Sequence, residues 1–301
     1  MKNINNIKHT VKNFLKLFLP NLFVRNIITK YNYHKFKNNA QNLDKPLVSK
    51  NNDVIVSLTT YSTRIESINL VIESIGLQTK RPKRIILWLD QDEFNEDDLP
   101  ERLLALKKRG LEILFCENLK SYKKIVPTLM LCPQENIITI DDDYIYPKTL
   151  IAELIKTAKR NSNSTVASFI HSIKFKNGSP APYKSWKLYS DSLLSDYTVF
   201  PVGAGGVFYP KNSLDMQATD KNLFLKLAPK ADDVWLKYMT LLNDFRSVKI
   251  DANINFYNEF IQIPGSQKIG LFHENVLGGE NDIQIQKIHE HFKDKINLFN
   301  S

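Results

Sequence analysis

From Asp53 onward, short apolar runs of strand length alternate with segments of helical period, and that alternation leaves few folds open. VIVSL reads as a buried strand, and STRIESINLVIESIGLQ follows with apolar residues at helical spacing behind a Ser/Thr cap. RIILWLD is a second strand, and DDLPERLLALKKRG a helix ended by Gly110. LEILF, KKIVPTLMLCP and NIITI continue as strand, helix and strand. Pro147 then opens the helix KTLIAELIKTAKR, since a first turn tolerates proline. Strands taking turns with helices predict an α/β fold on a mostly parallel, doubly wound central sheet with right-handed crossovers. Ligands of such sheets collect at the carboxyl ends of the strands. Asp90 ends the second strand and Asp141–Asp143 the fourth, so both acidic features fall on one rim. No internal repeat is visible.

The charge is distributed unevenly. The chain of 301 residues carries a formal +9. Residues 1–50 hold ten Lys/Arg against one acid, Asp44, which leaves residues 51–301 balanced at 31 bases and 31 acids. The basicity thus belongs to an arm, with a linker over 38–52, and not to the body. A neutral body without a nucleic-acid motif argues against a nucleic-acid partner, despite the basic pI of 9.2. In the arm, VKNFLKLFLPNLFVRNIITKYNYHKFK sets Phe14, Leu15, Leu17, Phe18, Leu22 and Phe23 among lysines. That composition suits a helix in a membrane interface, or one packed on a protein surface. Lys16 and Pro20 interrupt the apolar run and no small-residue cleavage site follows, so a secretory signal is not expected. No run approaches the ~18 apolar residues of a membrane span. Cys116 and Cys132 form no CxxC pair, and a reducing cytoplasm is the expected compartment, with peripheral contact at the inner face of the cell membrane through the arm.

IITIDDDYIYP carries the first chemical signal. Two carboxylates about 4 Å apart repel by roughly 4 kcal/mol at an effective dielectric near 20, so three in a row need water or a cation. Adjacent carboxylates at a strand end suit Mg²⁺ or Mn²⁺, which take hard oxygen ligands and leave positions for substrate phosphates. The plainer reading is a solvated acidic turn. Likewise Asp232 and Asp233 in ADDVWLKYM are good helix starters, and the glycines of PVGAGGVFYP fit a tight turn or a bulged strand.

Taken in order, SLTTYSTR, IDDDYIYP, PVGAGGVFYP, LAPKADDVWL and FHENV make residues 53–301 resemble GT-A-type glycosyltransferases. NLKSYKKIVPTL is similar to bacterial members of surface-polysaccharide (capsule) gene clusters. The resemblance implies a catalytic domain over 51–301, with a nucleotide-binding half at about 51–145 and an acceptor half at about 146–301. It implies an Asp-any-Asp metal motif in which Asp143 binds Mn²⁺ or Mg²⁺ directly. Asp141 or Asp142 then lies near the ribose or bridges through water, and His273 completes the metal shell. Asp233 takes the place of the general base, with Asp232 the alternative because this chain has Asp where Glu is usual. A direct base implies inversion at the anomeric carbon. Gly203, Gly205 and Gly206 would bring backbone close to a sugar. Thr60, Tyr61 and Arg64 fit contacts to base and diphosphate, Asp90 a base N–H, and Lys123 and Lys124 the diphosphate charge. The implied partners are a nucleotide-sugar donor, with UDP one candidate, and a glycan or lipid-linked acceptor. A sugar-phosphate nucleotidyltransferase is the nearest rival, although SLTTYSTR lacks the glycines of that class's first loop.

Overall fold

The structure is a computed structural model and describes residues 26–40, 43–252, 254, 259–266 and 279–296. The four expected strands form as β1 (Val54–Thr59), β2 (Arg84–Asp90), β3 (Leu111–Cys116) and β4 (Asn136–Thr139). Three more, β5 (Ser164–Ala167), β6 (Val207–Tyr209) and β7 (Arg246–Lys249), complete a seven-stranded sheet of order β7-β5-β6-β4-β1-β2-β3. β1 pairs in parallel with β2 and β4, β2 with β3, and β5 with β7. Only β6 runs antiparallel, against β4 and β5. The sheet is therefore mostly parallel, as the alternation of strands and helices predicts.

Successive side chains of a strand point to opposite faces, and here both faces are buried. Val54, Val56 and Leu58 face one core with Ile85, Leu87 and Leu89, under the helices Ile68–Gly76, Glu101–Lys107 and Leu150–Arg160. Ile55, Ile86 and Trp88 face the other way. On that side, towards β6, a second core gathers Val207, Tyr209 and Trp235 with the helices Asp232–Leu242 and Glu280–Phe292. Near the chain start, Leu47 is fully buried in the first core and Tyr33, within the helical residues 26–40, packs against it.

Two local details depart from expectation. The segment after β1 is a 3-10 turn, Ser62–Glu66, before the helix begins at Ile68. Pro147 lies before its helix, which starts at Leu150; the Pro147 carbonyl accepts the Leu150 N–H at 3.1 Å. Pro147 thereby closes the turn that leads in from the acidic cluster.

The strand order reverses between β1 and β4: β2 and β3 lie on one side of β1, β4 on the other. Loops that leave such a pair diverge and open a crevice at the carboxyl ends. Thr60 and Asp141–Asp143 leave their strands there.

Candidate functional site

The crevice is lined from both sides. Thr60 Oγ1 donates to Asp142 Oδ2 at 2.7 Å, and the Arg64 guanidinium binds Asp142 Oδ1. Arg64 Nη2 also lies 3.7 Å from Asp143 Oδ2 and donates to the Ser266 carbonyl at 2.5 Å. Its guanidinium stands 4.9 Å from the centre of the Tyr61 ring. The loop after β1 thus meets the acidic cluster after β4 through Thr60 and Arg64.

The return to aromatic residues after the aspartates has a structural reason. Tyr144–Ile145 form a two-residue strand that pairs antiparallel with Ile261–Gln262, and the Asp143 carbonyl accepts from Ile263 N at 2.9 Å. Tyr146 turns inward, accepts the Asp141 N–H at 2.8 Å and donates to the Ala204 carbonyl at 3.1 Å. Its ring meets Phe260 edge-on. The backbone of the cluster is clamped while its carboxyl groups meet Thr60, Arg64 and Lys124.

The second acidic motif arrives at the same place. Lys124 Nζ lies 2.9 Å from Asp141 Oδ1 and 2.8 Å from Asp232 Oδ2. Asp233 turns instead to the glycine loop, where its Oδ2 accepts the Gly203 N–H at 2.9 Å. That loop is a single 3-10 turn, Gly203–Gly205, between the strand Val199–Pro201 and β6, and Gly206 follows at a φ of 87°. The tight turn expected of PVGAGGVFYP therefore forms here, and its backbone comes close to the Asp233 carboxylate.

Burial and crowding set the electrostatics. The Asp143 carboxyl is pushed up to about 7, first by burial and then by the charges of Asp141 and Asp142, against Arg64 and Lys124. Burial also raises Asp142, although Arg64 and the Thr60 hydroxyl oppose it. Asp233 is pushed up to about 7, chiefly by burial, with Asp232 and Asp141 adding to it while Lys124 and the Gly203 amide pull it down. Burial alone would lower Lys124, but Asp141, Asp232 and Asp233 outweigh it and hold the ammonium charged. Among the described residues, five carboxyl groups thus gather around two cations, Arg64 and Lys124, in a partly dry setting.

Asp90 and Lys123 form a separate pair. They are 1% and 3% exposed, with Lys123 Nζ 3.2 Å from Asp90 Oδ2, and Asp90 Oδ1 also accepts the Asp92 N–H. His273 lies outside the described residues. Among the described residues, no three His, Cys, Asp or Glu side chains converge as a ready-made metal cage. The donor set present fits a hard dication bound by one or two carboxylates with substrate oxygens completing its shell, the usual arrangement for Mg²⁺. Sequence reasoning did not single out Tyr146 or the Ser266 carbonyl. YIYP beside the aspartates was a visible signal for the former, whereas a backbone carbonyl leaves none.

No family model matches the chain, and no curated protein matches it in sequence. Among solved structures it is similar to TarS 1–349 of S. aureus, at 13% identity over 80% of this chain and 72% of that one, with a TM-score of 0.46. It is similar to the mannosyltransferase PcManGT from Pyrobaculum calidifontis, solved with GDP-Man and Mn²⁺, at 12% identity over 91% and 79%, with a TM-score of 0.48. A third is the inositol-1-phosphate CTP transferase of T. maritima, at 9% identity over 82% and 98%, with a TM-score of 0.41.

Proposed function

We propose that the chain is a glycosyltransferase that moves a sugar from a nucleotide-sugar donor to a hydroxyl of a glycan or lipid-linked acceptor, in the assembly of a cell-surface polysaccharide. The observation that carries this reading is the meeting of the two acidic motifs, Asp141–Asp143 and Asp232–Asp233, in the crevice where the strand order reverses. A donor diphosphate calls for a dication held by carboxylates, and an acceptor hydroxyl for a separate carboxylate as base; the shared Lys124 joins Asp141 of one motif to Asp232 of the other.

In this reading Thr60, Tyr61 and Arg64 line the donor side, with Asp90 beyond them toward the base. Asp143 and Asp141 would hold Mn²⁺ or Mg²⁺, with His273 a further ligand. A dication bound there supplies Lewis-acid stabilisation of the charge that grows on the departing diphosphate. Asp233 accepts the proton of the acceptor hydroxyl as its oxygen bonds to the anomeric carbon. The bond from that carbon to the diphosphate oxygen breaks in the same displacement, so the configuration inverts. Gly203, Gly205 and Gly206 bring backbone close to the transferred sugar. The basic arm holds the enzyme at the anionic inner face of the membrane, where lipid-linked acceptors reside.

A screen of nucleotide sugars for product release with Mn²⁺, Mg²⁺ or EDTA tests the reading. The expected product is a nucleoside diphosphate, lost with EDTA and in Asp143→Asn. Release of pyrophosphate from a nucleoside triphosphate and a sugar phosphate would make the chain a nucleotidyltransferase instead.

A further inference from the structure

Among the described residues, Lys124 is the one side chain that forms ion pairs with both acidic motifs. Its side chain is only 7% exposed, and the turn that carries it, Lys120–Lys124, is pinned to the segment ahead of Asp232. Tyr122 in that turn donates its hydroxyl to the Ala228 carbonyl at 2.5 Å and stacks on Phe224 at 4.1 Å between ring centres. The position of Lys124 relative to Asp232 is therefore fixed by packing, not left to a flexible stem.

Asp232 and Asp233 are neighbours in the first turn of one helix, where successive side chains diverge by about 100°. One points to an ammonium and the other to a backbone amide. A carboxylate in a buried ion pair makes a poor proton acceptor, because protonation would remove one of the two charges, Asp232 and Asp141, that face the buried ammonium at hydrogen-bond distance. A carboxylate held by an amide keeps its second oxygen for a hydroxyl.

We infer that Lys124 is a positioning residue that gives the two acids different tasks. It holds Asp232 as an anchor that ties the Asp141 motif to the helix, and so leaves Asp233, seated on Gly203, as the group that meets the acceptor. The inference rests on the transferase reading for its catalytic part; the pairing itself does not.

The two parts are tested separately. In a double-mutant cycle on thermal unfolding, Lys124→Met and Asp232→Asn should each destabilise, and together should cost less than their sum. Losses that simply add overturn the inference whatever the chain catalyses. In transfer assays, Lys124→Met and Asp232→Asn should each lower kcat by roughly 10- to 100-fold, as small misplacements do. Donor KM should stay within about threefold, and Lys124→Arg should recover much of kcat. A higher KM at unchanged kcat would make Lys124 a diphosphate contact. Loss of transfer in Asp232→Asn but not in Asp233→Asn would exchange the two roles. If Lys124→Met does not fold, Asp232→Asn and Lys124→Arg carry the same comparison. A wild-type chain that releases no nucleoside diphosphate defeats the transferase reading, and the unfolding cycle still judges the pair.

Discussion

Gly203 and Asp233 meet so closely that position 203 has no room for a side chain: a Cβ there would stand 2.6 Å from Asp233 Oδ1, while the Gly203 amide holds Oδ2 at 2.9 Å. Gly203→Ala should therefore push the carboxyl off its amide. Expected is a loss of transfer of at least 10-fold, since misplacing a catalytic group by about 1 Å can cost about 10²-fold. Gly205→Ala is the contrast. Its Cβ would fall 2.1 Å from the Phe169 ring and 2.2 Å from Ser168 Oγ, so overpacking should cost about 1–3 kcal/mol and appear first in thermal unfolding. If Gly203→Ala transfers at the wild-type rate, Asp233 is not the working carboxylate.

A proton acceptor works only when ionised, and burial pushes the Asp233 carboxyl up to about 7. Below that pH it is protonated and cannot take the acceptor's proton. The transfer rate at saturating donor should thus rise with pH through about 7 and then level off. Asp233→Asn should keep donor binding and lose about 10²–10⁴-fold in rate, as deletion of a general base typically does. A rate flat from pH 5 to 8 would count against the assignment.

Much of this was legible in the chain itself, for reasons that also mark where reading stops. RIILWLD is a run bounded by a base and an acid, buried on both faces, and it forms β2 over Arg84–Asp90 as its pattern predicts. β6 was not legible: VFY is three residues between a glycine and a proline, and its antiparallel place between β4 and β5 rests on pairing with distant segments. The acidic motifs stood out because repelling carboxylates are costly unless something opposes them. What opposes them internally did not stand out, because KSYKK gives no sign that Lys124 is buried while neighbouring Lys120 is exposed. Burial of a long cationic side chain is decided by the tertiary fold, as is the choice of Arg64 between a substrate and Asp142.

The arm can be tested apart from the rest of the chain. Ile27, Ile28 and Tyr31 are 52%, 50% and 64% exposed beside Lys30, while Tyr33 turns to the core. Residues 1–25 lie outside the described residues and contain five of the ten bases, each worth about 1 kcal/mol near an anionic surface. Removing residues 1–25 spares Tyr33 and Leu47. It should abolish sedimentation with phosphatidylglycerol vesicles at moderate salt and leave donor turnover unchanged. Equal sedimentation with phosphatidylcholine vesicles would remove the electrostatic basis.

Lys237 offers a test of stability that leaves the crevice alone. It is 2% exposed in the helix Asp232–Leu242 and donates to Ser247 Oγ at 3.0 Å, and Asp196 supplies an opposing charge. Burial pulls its ammonium down to about 7, with Asp196 opposing the shift. The unfolded chain keeps the ordinary value of about 10.4. Between those values the unfolded state binds more protons than the folded one, so this group makes stability rise with pH over that window. Below pH 7 the ammonium is charged in both states, and the folded protein bears the full cost of burying it. Lys237→Met removes that cost, and Ser247 Oγ retains a partner in Thr165 Oγ1 at 2.9 Å. The variant should therefore unfold at a higher temperature than wild type at pH 6. That advantage should shrink steadily toward pH 10. A difference that is the same at both ends would mean that Lys237 stays charged inside the fold, held by Asp196 more strongly than burial opposes it.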